Sequence, residues 1–118
     1  TKGSDFKMTF KECYKIIKER FDTTDLSKVD NDFSGMICIE NKKNPSDSGY
    51  VYLSYINGEK CIEPVKHNKA NIVVSMSSDM FESVYKGQTD VFRAFTTGQI
   101  KAKGNIFLAL SIYKKLKA

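Results

Sequence analysis

The sequence predicts an α+β fold: a five-stranded, mostly antiparallel sheet with one face covered by a layer of helices. Three observations lead there. Apolar residues recur at helical spacing near both ends of the chain, and at alternate positions through its middle. Asn57-Gly58 separates two strand-like runs, the signature of a tight type I′ hairpin. A length of 118 residues supplies one core and too little chain for two, so residues 1–118 are expected to form a single domain.

A first helix should run from about Thr9 to Phe21. Thr9 and Glu12 have capping-box spacing, and Phe10, Cys13, Tyr14, Ile17 and Phe21 share one face, with Lys11, Lys15, Lys18 and Glu19 on the other. The polar connector DTTDLSKVDND has room for a short turn around Leu26. From Phe33 the period becomes two, and Ile37 and Ile39 alternate with Cys38 and Glu40 as in a half-buried strand. NKKNPSDSG is loop chemistry. The run YVYLSYINGEKCIEPV supplies strands two and three, with Val51, Leu53 and Tyr55 on one face of the first arm. NIVVSMS is the fourth strand, carrying Ile72, Val74 and Met76 on one side and Val73 and Ser75 on the other. Ser77 or Ser78 caps a helix whose stripe is Met80, Phe81, Val84 and Tyr85, and Gly87 ends it. Thr89 or Asp90 caps a second short helix with Val91, Phe92, Ala94 and Phe95, stopping near Gly98. QIKAK is the fifth strand, and Gly104-Asn105 opens a terminal helix.

The order α-β-β-β-β-α-α-β-α contains no internal repeat. Short loops let the meander strands pair antiparallel, and the two-helix segment between strands four and five predicts a right-handed parallel crossover. Alternation along the strands predicts one wet sheet face. The covered face is expected to carry Ile37, Ile39, Val51, Leu53, Tyr55, Ile72, Val74, Met76 and Ile100.

Composition narrows the function classes. With 41% hydrophobic and 28% charged residues the chain has the balance of a globular domain, and no apolar run approaches the ~18 residues of a membrane span. The chain begins at Thr1 with no charged-then-apolar signal segment, which predicts a processed form or a domain cut from a longer chain. Cys13, Cys38 and Cys61 form no CxxC pair and are odd in number. That argues against a disulfide framework or a zinc knot and for a reducing compartment, with the thiols as small packing groups. A net charge of +5 suits anionic head groups, acyl-CoA phosphates, acidic membranes or RNA without choosing among them.

Patterns for catalysis do not assemble. The sole histidine, His67, lies in the Lys- and Asn-rich loop VKHNKAN, and no GxSxG run is present. Glu59, Glu63, Asp79, Glu82 and Asp90 offer no inward-facing carboxylate pair. Gly98 and Gly104 flank a strand without forming GxGxxG or a Walker A loop. The chain is therefore read as a non-enzyme, with no catalytic residue, metal ligand or cofactor. Lys101, Lys103, Lys114, Lys115 and Lys117 gather near the end, yet the strand lysines alternate with Ile100 and Ala102 and no RNP pattern accompanies them. They are read as a solvated face, with no nucleic-acid partner.

The terminal helix carries more apolar surface than a sheet contact uses. At 100° per residue, Ile106, Ala109, Leu110 and Tyr113 make one face, Leu108 and Ile112 widen it on one side, and Phe107 on the other. That arc calls for a second apolar neighbour: the crossover helices, another chain, or a bound apolar molecule.

The stretch GQTDVFRAFTTGQIKAKGNIFLALSIYKKL closely resembles the C-terminal signature of the sterol carrier protein type 2 domain, G-K-x-x-P-x-x-A-F-x-x-G-K-L-K-x-x-G-N-x-x-L-A-x-K-L. Gly87, Ala94, Phe95, Gly98, Lys101, Gly104, Asn105, Leu108 and Ala109 stand at matching places. Upstream, NIVVSMSSDMFESVYKG resembles the family's D-x-x-I-x-M-x-x-x-D-F segment through Val74, Met76 and Phe81, and the NGE hairpin followed by Pro64 also fits. The likeness runs from about residue 6 to residue 116. Val91 replaces the usual proline, Glu82 stands where an apolar residue is common, and Ala102 is small where a larger aliphatic is usual, which enlarges the expected pocket.

The resemblance implies an apolar tunnel between sheet and helices, holding sterols, fatty acids, fatty acyl-CoAs or other lipids. It implies a non-catalytic intracellular carrier that exchanges them with membranes or enzymes. On that reading the ligand is lined by Ile37, Ile39, Leu53, Tyr55, Val74, Met76, Ile100 and Ala102 of the sheet. Phe81, Val84, Tyr85, Phe92, Phe95, Ile106, Phe107 and Leu110 line it from the helices. Lys114, Lys115 and Lys117, or Lys11, Lys15 and Lys18, are expected to allow transient contact with anionic membranes by a monomer. A peroxisomal or cytoplasmic setting follows, although the final LKA is a poor match to the S-K-L tripeptide. The alternative is an interaction or substrate-presenting module of a larger multidomain peroxisomal lipid-metabolising enzyme.

Overall fold

In the computed structural model, which describes residues 8–29 and 32–117, the capping box starts helix α1 (Phe10–Thr23) where its spacing predicts. Thr9 Oγ1 accepts from the Glu12 N–H at 3.2 Å, and Glu12 Oε1 accepts from the Thr9 N–H at 2.8 Å. Residues 1–7, 30, 31 and 118, which the single-domain reading and the resemblance from residue 6 include, lie outside the described residues. The inner face of α1 buries Cys13, Ile17 and Phe21. Its last carbonyls are held from the sheet: Lys60 Nζ donates to those of Phe21 and Thr24 at 2.7 and 2.5 Å.

Five strands follow, β1 (Phe33–Glu40), β2 (Gly49–Ile56), β3 (Glu59–Glu63), β4 (Ile72–Ser77) and β5 (Lys101–Gly104), in the order β3-β2-β1-β4-β5. The β2–β3 hairpin turns through Asn57 at φ 53° and Gly58 at φ 80°, the positive pair that a type I′ turn requires. Helices α2 (Ser78–Tyr85) and α3 (Val91–Thr96) separate β4 from β5, and α4 (Ile106–Lys117) closes the chain. Ser77 caps α2 by accepting from the Met80 N–H at 3.0 Å, and Asp90 caps α3.

Register confirms the expected face. Ile37 stands opposite Val51 in β2 and Val74 in β4, and Ile39 stands opposite Met76, so these side chains share one side while Val73 points to the other. The pairing of strands four and five differs from expectation. β4 and β5 run antiparallel, with Ser75 opposite Lys101, and the parallel pair is β1 with β4. Two short helices joined near Gly87 make an even number of passes, so the chain returns to the end of β4 that it left and β5 must reverse direction. Gly104, at φ +96°, is required there, because a Cβ would stand 2.0 Å from the Asn71 carbonyl oxygen.

The opposite sheet face is not wholly wet. Met36, Tyr52 and Ser54 are buried on it. The connection between β3 and β4 lays the His67 ring on Tyr52, with centroids 4.2 Å apart and planes 16° from parallel. A loop thus covers the middle of a face that alternation alone marks as polar.

Candidate functional site

Packing on the helix-facing side of the sheet is uneven. Cys13, Ile17 and Phe21 of α1 join Phe33, Ile39, Val51, Leu53 and Ile72 in one buried cluster. Across α2, α3 and α4, by contrast, Ala94 and Ile112 are the only buried apolar side chains. Phe81, Val84, Phe95, Ile106 and Leu110 are half-buried, and of these Phe81 packs against the core cluster. Apolar surface on this half is therefore incompletely covered by the protein's own atoms.

The anticipated site residues divide accordingly. Ile39, Leu53 and Ile100 are buried, and Ile37, Tyr55, Val74, Met76 and Ala102 are half-buried on the sheet. Ile37, Ile39, Leu53, Tyr55, Val74 and Phe81 meet in or against the buried cluster. Tyr85, Phe92 and Phe107 are 46%, 59% and 87% exposed, so these three rings lie at the surface. On α4 the residues packed on the cluster are Leu108, Ala109, Ile112 and Leu116 rather than Ile106, Phe107 and Leu110. Leu108, Ile112 and Leu116 have the four-residue spacing of one stripe, but the unbroken apolar run from Ile106 to Leu110 fits other rotations equally.

A cleft of about 830 Å³ opens at the carboxyl ends of the parallel strands β1 and β4. Met76 and Met80 lie in its lining together with Cys38, Tyr50 and Ser75 from the sheet face away from the helices, and Met80 was not among the anticipated residues. Its other walls come from the β1–β2 connection with Lys42 and Ser48, and from Thr97, Gly98, Gln99 and Lys101 between α3 and β5. A smaller groove of about 250 Å³ lies among Ile16, Glu19, Arg20, Thr23 and Tyr85. Arg20 spans the junction of three helices. Its guanidinium lies 5.6 Å from the Tyr85 ring centroid and donates to the Leu116 and Lys117 carbonyls at 3.1 and 3.4 Å. Nearby, burial and then the Asp90 charge push the Tyr113 hydroxyl above its ordinary range, against the opposing pull of Arg20.

Among the described residues no group of three His, Cys, Asp or Glu side chains could hold a metal ion. His67 is committed to its stack on Tyr52. Cys13 behaves as a packing group, its thiol pushed up to about 12 chiefly by burial and further by Glu12, Asp47 and Glu82. Cys61, by contrast, is exposed. No helix among the described residues is long and apolar enough to cross a membrane.

The model of the SCP-2 sterol transfer family matches residues 17–117. The mouse (Mus musculus) hydroxysteroid dehydrogenase-like protein 2 is 38% identical over 47 residues, which cover 40% of this chain but 10% of that protein. A fatty acid-binding protein of Yarrowia lipolytica is 29% identical over 67% of this chain and 61% of its own length. This chain thus spans less than two thirds of either relative. In three dimensions, palmitated SCP2L2 from Aedes aegypti superposes with a TM-score of 0.74 at 13% identity, covering 94% of this chain and 96% of that one.

Proposed function

This chain belongs to the SCP-2 sterol transfer family, and we propose that it carries a fatty acid or related lipid between the helix-facing side of its sheet and helices α2, α3 and α4. One observation carries the reading: Phe81, Val84, Phe95, Ile106 and Leu110 of those helices stay half-buried, while Cys13, Ile17 and Phe21 of α1 are buried in the core cluster. An acyl chain would complete the packing that the protein leaves open. Burying about 400 Å² of hydrocarbon at about 25 cal/mol per Å² is worth up to ~10 kcal/mol before association and ordering costs, enough for reversible, non-covalent binding. The Yarrowia relative, a fatty acid-binding protein, and the palmitated Aedes neighbour support the ligand class.

On this reading the chain is non-catalytic, acts as a monomer in a peroxisomal or cytoplasmic setting, and exchanges lipid with anionic membranes through its terminal lysines. The match to a segment of the hydroxysteroid dehydrogenase-like protein favours one further possibility: the same lipid-holding domain serving as a substrate-presenting module within a longer enzyme. Titration with a fluorescent fatty acid tests the carrier reading, with Leu110→Arg as the control. The parent should bind stoichiometrically. The variant should lose affinity at least about tenfold, because a lipid tail cannot solvate the introduced charge. Native affinity in a folded Leu110→Arg protein would move the lipid site away from α4.

A further inference from the structure

Arg20 joins three helices with one side chain. It sits in the last turn of α1, and its guanidinium rests 5.6 Å from the ring centroid of Tyr85, the last residue of α2. The same group reaches α4, where Nη1 donates to the Leu116 and Lys117 carbonyls at 3.1 and 3.4 Å. Those carbonyls belong to the last turn of α4, where a helix has no N–H of its own to offer and its dipole is negative. A planar guanidinium can stack on a ring and bond a pair of carbonyls at once, which an ammonium cannot.

The junction is accessible. Arg20 and Tyr85 are exposed, and a groove of about 250 Å³ lies beside them among Ile16, Glu19 and Thr23. These contacts can therefore break while Cys13, Ile17 and Phe21 of α1 stay packed in the core cluster. The helix on the far side of the junction is lightly held. α4 leans chiefly on α1, and of its described residues Ile112 alone is buried.

We propose that Arg20 is a latch: it holds α2 and α4 to α1 while lipid is carried, and its release sets the rate at which lipid enters and leaves. The inference rests on the carrier reading and adds to it the residue that gates exchange. Both helices tied by Arg20 bear apolar residues that stay half-buried, Phe81 and Val84 on α2 and Ile106 and Leu110 on α4. A lipid that completes their packing is enclosed by those helices, so they must move to let it pass. Such a gate has a kinetic signature that a simple helix cap lacks. Arg20 bonds the protein and not the lipid, so its contacts are alike in the loaded and the empty domain and cancel in the affinity. They are absent from the open state, so losing them speeds entry and exit together.

Stopped flow on Arg20→Gln, Arg20→Lys and Lys28→Gln proteins reads both steps, with a fluorescent fatty acid for entry and a chase of excess palmitate for exit. Lys28, exposed beyond the end of α1, controls for the loss of one charge. Thermal melts establish that each variant is folded. Arg20→Gln should raise both rate constants at least about threefold and change Kd less than about twofold, with Arg20→Lys between it and the parent. Lys28→Gln should match the parent. Hydrogen exchange of the lipid-free proteins should show Arg20→Gln losing protection in the last turns of α2 and α4 while α1 keeps its own.

Unchanged rates in a folded Arg20→Gln protein overturn the proposal and leave Arg20 a helix cap. Faster exit alone, with affinity weakened to match, also overturns it, because Arg20 would then act on the lipid site itself. Should Arg20→Gln fail to fold, Arg20→Lys decides, since it keeps the charge and loses the planar fork. If the parent binds no fatty acid, the carrier reading fails and the gate with it, and hydrogen exchange in the lipid-free protein reports separately whether Arg20 holds α2 and α4.

Discussion

Phe10 lays its ring directly over the α-carbon of Gly49, so that a Cβ at that position would stand 2.7 to 2.9 Å from the ring carbons. The contact seats the first turn of α1 on the start of β2. Asp47, two residues before the glycine, accepts from the Phe10 N–H at 3.1 Å and holds the same junction. Gly49→Ala should therefore destabilise the protein by about 1–3 kcal/mol through overpacking. Adding Phe10→Leu should return part of the loss. Urea denaturation of the two single variants and the double variant reads both effects, and strict additivity would show that ring and methyl do not collide.

The orientation of α4 separates two neighbouring positions. Ile112 is buried against the core cluster and Phe107 is almost fully exposed. Ile112→Ala should cost about 2–4 kcal/mol, a transfer term plus a cavity term. Phe107→Ser should change stability by no more than about 0.5 kcal/mol. Equal losses at the two sites would mean that α4 is rotated from the orientation described.

The buried thiol of Cys13 gives a pH dependence of definite sign. Its folded value of about 12 lies above the ordinary 9.0, so the folded state favours the neutral thiol. The associated stability is fully present below pH 9 and is lost as pH rises from there toward 12, because the unfolded chain ionises first. Between pH 8 and pH 10.5 the parent should lose more stability than Cys13→Ala does over the same range. A thiol reagent at pH 8 should modify exposed Cys61 quickly, and Cys13 only when denaturant is added. Modification of Cys13 in the native protein at the rate of Cys61 would contradict its burial.

Lipid exchange should depend on charge at the end of α4. Lys114 and Lys117 are exposed there, and Lys115 is half-buried. A Lys114, Lys115, Lys117→Glu triple variant should transfer a fluorescent fatty acid more slowly from anionic vesicles at low salt and at the parent rate from neutral ones. Identical rates in low and raised salt, with both vesicle types, would leave these lysines as solubilising charges.

What the sequence alone determined is whatever neighbouring residues specify together. Thr9 with Glu12, Asn57 with Gly58, and Ser77 ahead of Met80 each settle a helix start or a turn through contacts only a few residues long. Strand parity belongs to the same class, because side chains alternate with a period of two whichever strand lies alongside, and so the face shared by Ile37, Val51 and Val74 was legible. Strand direction was not, since it depends on how many passes the chain makes between β4 and β5, and two short helices make an even number. Nor was the inward stripe of α4, where Ile106, Phe107, Leu108, Ala109 and Leu110 come in unbroken succession and satisfy several rotations equally. Only docking against the cluster selects Leu108, Ile112 and Leu116. The cleft likewise belongs to the tertiary structure, because Lys42, Ser75, Gln99 and Lys101 come from segments far apart in sequence and meet only when β1 and β4 pair in parallel. Local chemistry chooses each element, but the free energy of burying one element against another decides which faces meet, and that term has no signature shorter than the whole chain.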